Sequence, residues 1–81
     1  MQVLYFAWMR ERIGLPKEEI NTNAATVADL VDELKGREER YAAAFADMAA
    51  VRVAVDQELT DMGASLEGVR EVAFFPPMTG G

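Results

Sequence analysis

The strongest pattern in the chain is a single amphipathic helix, predicted between Thr26 and Gly36. Thr26 is a suitable N-cap, and Gly36 stands where such a helix would end. Asp29, near the start, complements the positive end of the helix dipole. The apolar side chains repeat at i, i+3, i+4 and i+7 and so form one stripe: Val27, Leu30, Val31 and Leu34. This apolar stripe must be buried against the rest of the chain.

Strands are predicted on both sides of this helix. Residues 3–9 are rich in β-branched and aromatic side chains, and both alternating faces of this run are apolar. The turn signal Gly14-Leu15-Pro16 leads to a short strand at 17–21, polar except at Ile20. After the helix we expect a second helical stretch at about 38–49 and strands at 51–55, 57–59 and 71–75.

This order of elements predicts an α+β domain with the main helix on one face of a sheet. We expect a mixed sheet of four to five strands, one main helix and a short second helix. The domain is predicted to occupy residues 1–75. Residues 76–81 are expected to form an extended tail, because Pro76 and Pro77 cannot continue a strand ladder. The order is compatible with the ubiquitin-like β-grasp, although several other α+β folds would satisfy it too.

Composition excludes several classes of function. The chain has 81 residues, no histidine and no cysteine, so a stand-alone enzyme with a common nucleophilic or zinc site is not expected. The net charge of −6 disfavours nucleic acid and anionic membranes as partners. No apolar run approaches the roughly 20 residues of a membrane-spanning helix. The N-terminus also lacks the basic region of a secretory signal. We therefore expect a cytoplasmic protein.

The last six residues, Pro76-Pro77-Met78-Thr79-Gly80-Gly81, carry the chemistry that remains. Two glycines without Cβ atoms can pass through a narrow channel and present a carboxylate to another protein. The two prolines favour an extended tail root that leads away from the sheet. An ordinary frayed terminus is the alternative, since chain ends are often small and polar.

Residues 71–81 resemble the terminal signature of the MoaD-type sulfur carriers, the small subunits of molybdopterin synthase, with Met78 in place of the more usual valine or isoleucine. Residues 3–11 and Gly14 resemble the first strand and turn of that family, and residues 53–56 its central strand. The resemblance covers essentially the whole chain. Two departures are Asp56, where the family often has asparagine, and residues 67–70, which replace its usual acidic Gly-Asp turn.

The resemblance implies a ubiquitin-like β-grasp fold and a mechanism. An E1-like enzyme would use ATP to adenylate the carboxyl of Gly81, and this chain itself would bind no cofactor. A sulfur donor, typically a persulfide, would then produce a thiocarboxylate. The tail would enter the large subunit of a heterotetrameric synthase and give sulfur to cyclic pyranopterin monophosphate. In this scheme Gly81 carries the sulfur and Gly80 provides clearance.

Strand alternation together with the resemblance predicts a partner-binding surface. If Val72 and Phe74 face the helix, Phe75 faces away from it. Phe6 is expected on the same side, and Leu59 completes the patch by analogy with its family counterpart. Arg10 is expected at the rim. The predicted partner-binding residues are Phe6, Arg10, Leu59, Phe75, Pro76, Pro77, Met78 and Thr79.

Three alternative functions stay open on the sequence. A thiamine-pathway sulfur carrier shares the fold and the Gly-Gly end. A protein modifier attached through an isopeptide bond would use the same activated carboxyl. A β-grasp binding module with an inert tail is the third.

Overall fold

The computed structural model describes residues 1–77, and residues 78–81 lie outside the described part. Its helices and strands are, in chain order, β1 Gln2–Tyr5, α1 Ala7–Ile13, β2 Lys17–Glu19, α2 Val27–Lys35, α3 Glu39–Ala44, a 3-10 turn Met48–Ala50, β3 Arg52–Val55, β4 Glu58–Thr60 and β5 Glu71–Phe75.

The five strands form one mixed sheet in the order β2-β1-β5-β3-β4. β1 and β5 run parallel at its centre, and the other neighbouring pairs are antiparallel. This architecture confirms the predicted α+β class and the upper of the two expected strand numbers. The last strand in sequence therefore lies between the first strand and β3.

The predicted main helix is α2. The Thr26 side-chain oxygen accepts the N–H of Asp29 at 3.2 Å, which is the expected N-cap. The four residues of the apolar stripe are all buried. Gly36 follows the last helical residue, as predicted.

The prediction that the first strand extends to Met9 is wrong, because β1 ends at Tyr5 and Ala7–Ile13 form a helix. Ala7 has a positive φ of 53°, so the extended backbone of Phe6 does not continue through it. Met9 and Ile13 are spaced by one helical turn and are both buried, while the charged residues between them are exposed. The fold therefore contains α1 in addition to the two helical segments that were expected.

Three other predictions need smaller corrections. The second helical stretch is divided into α3 and the 3-10 turn, in which Asp47 accepts the N–H of Ala49 at 3.2 Å. The second strand is limited to three residues. β4 begins one residue later than predicted, because Asp56 and Gln57 form its hairpin turn with φ values of 47° and 70°. Positive φ at both central positions is what a type I′ turn requires.

The core lies between the helices and one face of the sheet. Phe74 on β5 is fully buried, and its ring centroid lies 6.2 Å from that of Tyr5 and 5.0 Å from that of Phe45. Such aromatic contacts add to the stability that area burial alone supplies. The strand residues of this face are Val3, Tyr5, Val53, Val72 and Phe74.

One carboxylate completes the polar side of this core. Oε2 of Glu18, on β2, accepts hydrogen bonds from the hydroxyl of Tyr5 at 2.9 Å and from that of Tyr41 at 2.6 Å. Burial, followed by the hydrogen bond to Glu18, raises the pKa of Tyr41 to about 12. The same two causes, in the same order, raise the pKa of Tyr5. Glu18 thus joins β1, β2 and α3.

Candidate functional site: the open face of the sheet and the tail root

The segment that was predicted to carry the chemistry begins where β5 ends. β5 lies at the centre of the sheet, and its last residue, Phe75, pairs with Arg52 of β3. Pro76 and Pro77 follow and are half-buried. The predictions for Met78, Thr79, Gly80 and Gly81 concern residues outside the described part and stay predictions.

Phe6 lies beside this tail root. Its backbone N–H donates to the carbonyl of Phe74 at 3.1 Å, which continues the β1–β5 ladder by one residue. Because Phe6 is extended, its side chain points away from the face that holds the buried Tyr5. By the same alternation Phe75 points away from the face that holds Phe74. Phe6 is 44% exposed and Phe75 is half-buried, so both are available to a partner.

The position of Phe6 depends on the start of α1. The Phe6 carbonyl accepts the N–H groups of Met9 and Arg10 at 3.1 and 3.4 Å, so Phe6 acts as the N-cap residue of this helix. Arg10 is exposed in the middle of α1. The structure therefore places the predicted rim arginine on the helix that begins directly after Phe6.

A cross-strand row of residues joins the tail root to Leu59. Leu4 pairs with Ala73, Ala73 with Ala54, and Ala54 with Leu59, so these four residues share one side of the sheet. Leu59, on the edge strand β4, is 72% exposed. We call this side of the sheet the open face; among its residues are Leu4, Phe6, Arg52, Ala54, Leu59, Ala73 and Phe75.

The structure thus brings Phe6, Leu59 and Phe75 to one face, as the sequence predicted, and it places Val72 and Phe74 in the core. Binding by these residues stays a prediction. Four residues of the open face were not among the predicted partner-binding residues: Leu4, Arg52, Ala54 and Ala73. Alternation along each strand contains part of this signal, but the pairing of one strand with the next is set by tertiary structure.

The charges around the open face are separated. Arg52, next to Phe75, is exposed, and its guanidinium donates to the carbonyls of Ala49 and Val51 at 3.0 and 3.1 Å. At the far end of β5, Glu71 pairs with Gln2. Along β5, a positive group therefore lies at the tail side of the face, and a carboxylate lies at the other end. A second cation, Lys17, lies at the β2 edge, where it pairs with Leu4.

Other kinds of site receive little support within residues 1–77. No group of three acidic side chains in this part is placed to hold a metal ion. An open polar groove of about 740 Å³ lies between residues 20–24 and the end of α2, on the side of Met1. Because β1 and β5 run parallel, this groove lies at the opposite end of the sheet from Phe75. Among the helices of residues 1–77, none is long and apolar enough to cross a membrane.

Comparisons with known proteins agree with the resemblance seen in the sequence. The molybdopterin synthase sulfur carrier subunit of Escherichia coli K12 is 37% identical over 81 residues, which are 100% of this chain and 99% of that protein. The protein of the same name from Haemophilus influenzae is 32% identical over the same shares of the two chains.

A solved structure supports the fold. The crystal structure of SAMP1 from Haloferax volcanii covers 100% of this chain, and the match takes in 98% of that chain, with a TM-score of 0.74 and 25% sequence identity. This neighbour confirms the ubiquitin-like β-grasp. The model of the ThiS family matches residues 3–81. From the first strand to the terminal glycines, then, the chain belongs to the ThiS family.

Proposed function

We propose that this chain is the sulfur carrier subunit of a molybdopterin synthase and that the carboxyl group of Gly81 carries the sulfur. The observation that supports this most strongly is the full-length match to two relatives of that name. The terminal Gly80-Gly81 supplies the group that such a role needs. The large subunit of the synthase is then the partner of this chain.

The chemistry explains why other proteins must act on the tail. A C-terminal carboxylate has a pKa of about 3.5, so it is ionised at neutral pH and is a poor electrophile. An E1-like partner uses ATP to convert it to an acyl-adenylate, with release of pyrophosphate. The terminal sulfur of a persulfide displaces AMP, and a thiol then cleaves the acyl disulfide to leave the thiocarboxylate. This chain has no histidine or cysteine, so its partners supply the acid–base groups and the thiols.

The position of β5 explains how docking can direct the tail. β5 is hydrogen-bonded on both sides, so Phe75 has a fixed position relative to the open face. Six residues follow Phe75, the last of them Gly81, and a fully extended chain of that length spans about 20 Å. A partner that binds the open face therefore holds the Gly81 carboxyl within about 20 Å of the tail root. Binding of this kind raises the effective concentration of the reacting group.

Reconstitution with purified components tests the proposal. The chain is incubated with the E1-like enzyme, ATP and a persulfide donor, and intact mass spectrometry should show one oxygen replaced by sulfur. Addition of the large subunit and cyclic pyranopterin monophosphate should then give molybdopterin. A chain that lacks Gly81 is the control and should remain unmodified. If the wild-type thiocarboxylate forms but yields no molybdopterin, the proposed pathway is wrong.

The same experiment separates the alternatives. Transfer of sulfur to the thiazole precursor of thiamine, but not to the pterin, would indicate the thiamine pathway. Formation of isopeptide-linked products would indicate a protein modifier. Failure of the E1-like enzyme to activate Gly81 would favour a binding module with an inert tail.

A further inference from the structure

The open face has a low strip at its centre. In the cross-strand row Leu4–Ala73–Ala54–Leu59, two small residues lie side by side between two leucines. Neighbouring strands are about 4.8 Å apart, so the backbones that carry the two leucines are about 14 Å apart. The alanine methyl groups therefore form the floor of a shallow strip, and the leucine side chains form its walls.

Exposure differs along this floor. Ala73 is 8% exposed, since Glu71 and Phe75 flank it along β5 and Leu4 lies beside it. Ala54 is half-buried, and its neighbour Leu59 is 72% exposed. The accessible part of the strip is thus centred on Ala54 and is walled by Leu59.

The ends of the strip differ in charge and in distance from the tail. Phe75 and Arg52 lie at the end from which the tail leaves, and Glu71 lies at the other end. A complementary surface has an apolar projection in the middle, an acidic group towards the tail root and a basic group towards Glu71. Any protein that receives Gly81 must approach from the side of Phe75, because the tail limits the separation to about 20 Å.

We infer that this strip receives one bulky apolar side chain of the large synthase subunit, and that Ala54 determines the specificity of the contact because it is small. The inference rests on the proposed function. A larger residue at position 54 fills the strip and prevents the projection from seating, whereas the core on the other face of β3 is unaffected. Small interface residues of this kind act by leaving space for a partner's anchor.

A size series at position 54 tests the inference. Ala54→Gly, Ala54→Val and Ala54→Leu are titrated with the purified large subunit, and Kd is measured by calorimetry. We expect Ala54→Gly to bind within about threefold of the wild type, Ala54→Val to bind more weakly, and Ala54→Leu to bind at least about tenfold more weakly. Leu59→Ala, which lowers one wall, should also weaken binding.

The matched control is Ala28→Leu, which makes the same change at an exposed position of α2, a helix that packs on the core face. It should bind as the wild type does. Thermal unfolding gives the folded fraction of each variant, and Ala54→Val, the smaller change, decides the matter if Ala54→Leu does not fold. Wild-type affinity in folded Ala54→Val and Ala54→Leu would overturn the inference and leave the proposed function intact. Absence of binding by the wild-type chain would instead contradict the proposed function, and the inference with it.

Discussion

Asp56 and Glu71 exchange two hydrogen bonds at the end of the sheet that lies opposite Phe75. The N–H of Asp56 donates to the Glu71 carbonyl at 2.9 Å, and Oδ1 of Asp56 accepts the N–H of Glu71 at 3.0 Å. The same Oδ1 accepts the N–H of Arg70 at 3.0 Å. The hairpin turn between β3 and β4 is thereby tied to the first residue of the strand that leads to the tail.

The first prediction follows from this pair. Asp56→Ala leaves the N–H groups of Arg70 and Glu71 without their acceptor, so the free energy of unfolding should fall by about 1–2 kcal/mol. Asp56→Asn keeps an acceptor oxygen and tolerates the positive φ, so it should change stability by less than about 0.5 kcal/mol. Urea unfolding followed by circular dichroism measures both. Equal losses in the two variants would show that the acceptor oxygen is not what matters.

The second prediction concerns Gly81. Its deletion should abolish thiocarboxylate formation and molybdopterin synthesis, because the carboxyl then belongs to Gly80 and sits one residue short. The melting temperature should remain within about 1 °C of the wild type, since the strands that build the core end at Phe75. Differential scanning calorimetry and the reconstituted assay check the two halves of this prediction. A truncated chain that still yields molybdopterin would refute the carrier role of Gly81.

The third prediction concerns two apolar residues of the open face, Leu59 and Phe75. Leu59→Asp and Phe75→Asp should each weaken binding to both the large subunit and the E1-like enzyme by about tenfold or more, because each puts a charge into an apolar contact. Leu59→Asp should cost the domain less than about 0.5 kcal/mol, since Leu59 is 72% exposed. Titration calorimetry and urea unfolding measure the two effects.

Ala28→Asp is the control for the third prediction, because it adds the same charge on the helical side of the domain. Its affinity should match that of the wild type. If Phe75→Asp unfolds the domain while the remaining folded protein binds normally, then Phe75 supports the core and not the interface.

The fourth prediction is a loss of stability in alkali. The pKa values of Tyr5 and Tyr41 are raised in the folded protein, that of Tyr41 to about 12, whereas unfolded tyrosines titrate near about 10. Below about pH 10 both hydroxyls are protonated in the folded and the unfolded state, so their contribution to the free energy of unfolding is fully present. Between about pH 10 and 12 the unfolded state binds fewer protons, so the free energy of unfolding falls as the pH rises.

Urea unfolding between about pH 9 and pH 12, with tyrosinate absorbance recorded in parallel, tests the fourth prediction. Tyr41→Phe should be less stable than the wild type at neutral pH, because Glu18 loses a donor. Its stability should also fall less steeply in alkali. A wild-type stability that stays constant up to about pH 12 would contradict the proposed role of the two hydroxyls.

The sequence predicted best those elements whose signals are local. The stripe of α2, its Thr26 cap and the boundaries of β5 all agree with the structure. The helix α1 was missed because residues 3–9 form one apolar run, in which nothing marks the change from strand to helix after Tyr5. The helical i, i+4 spacing of the apolar Met9 and Ile13 was present in the sequence. One such pair is too short a pattern to outweigh the strand propensity of the aromatic residues before it.

The candidate site was predictable only in part. Alternation along β5 places Phe75 opposite Phe74, and this is a local property of a strand. The neighbourhood of Ala54, Ala73 and Leu59 depends on the register of three strands, which the chain fixes only by tertiary packing. The terminal glycines were recognised because their chemistry depends on residue type and not on the fold.

The central place of β5 has a consequence for the synthesis of the protein. β5 is synthesised after the other four strands, yet it separates β2-β1 from β3-β4 in the finished sheet. Until β5 has been made, the two antiparallel strand pairs have no strand to join them, and the core lacks Val72 and Phe74. Folding of the sheet must therefore wait until β5 has been translated, because β1 and β5 are far apart in sequence. A partner that recognises the open face thus selects chains that have been translated through β5.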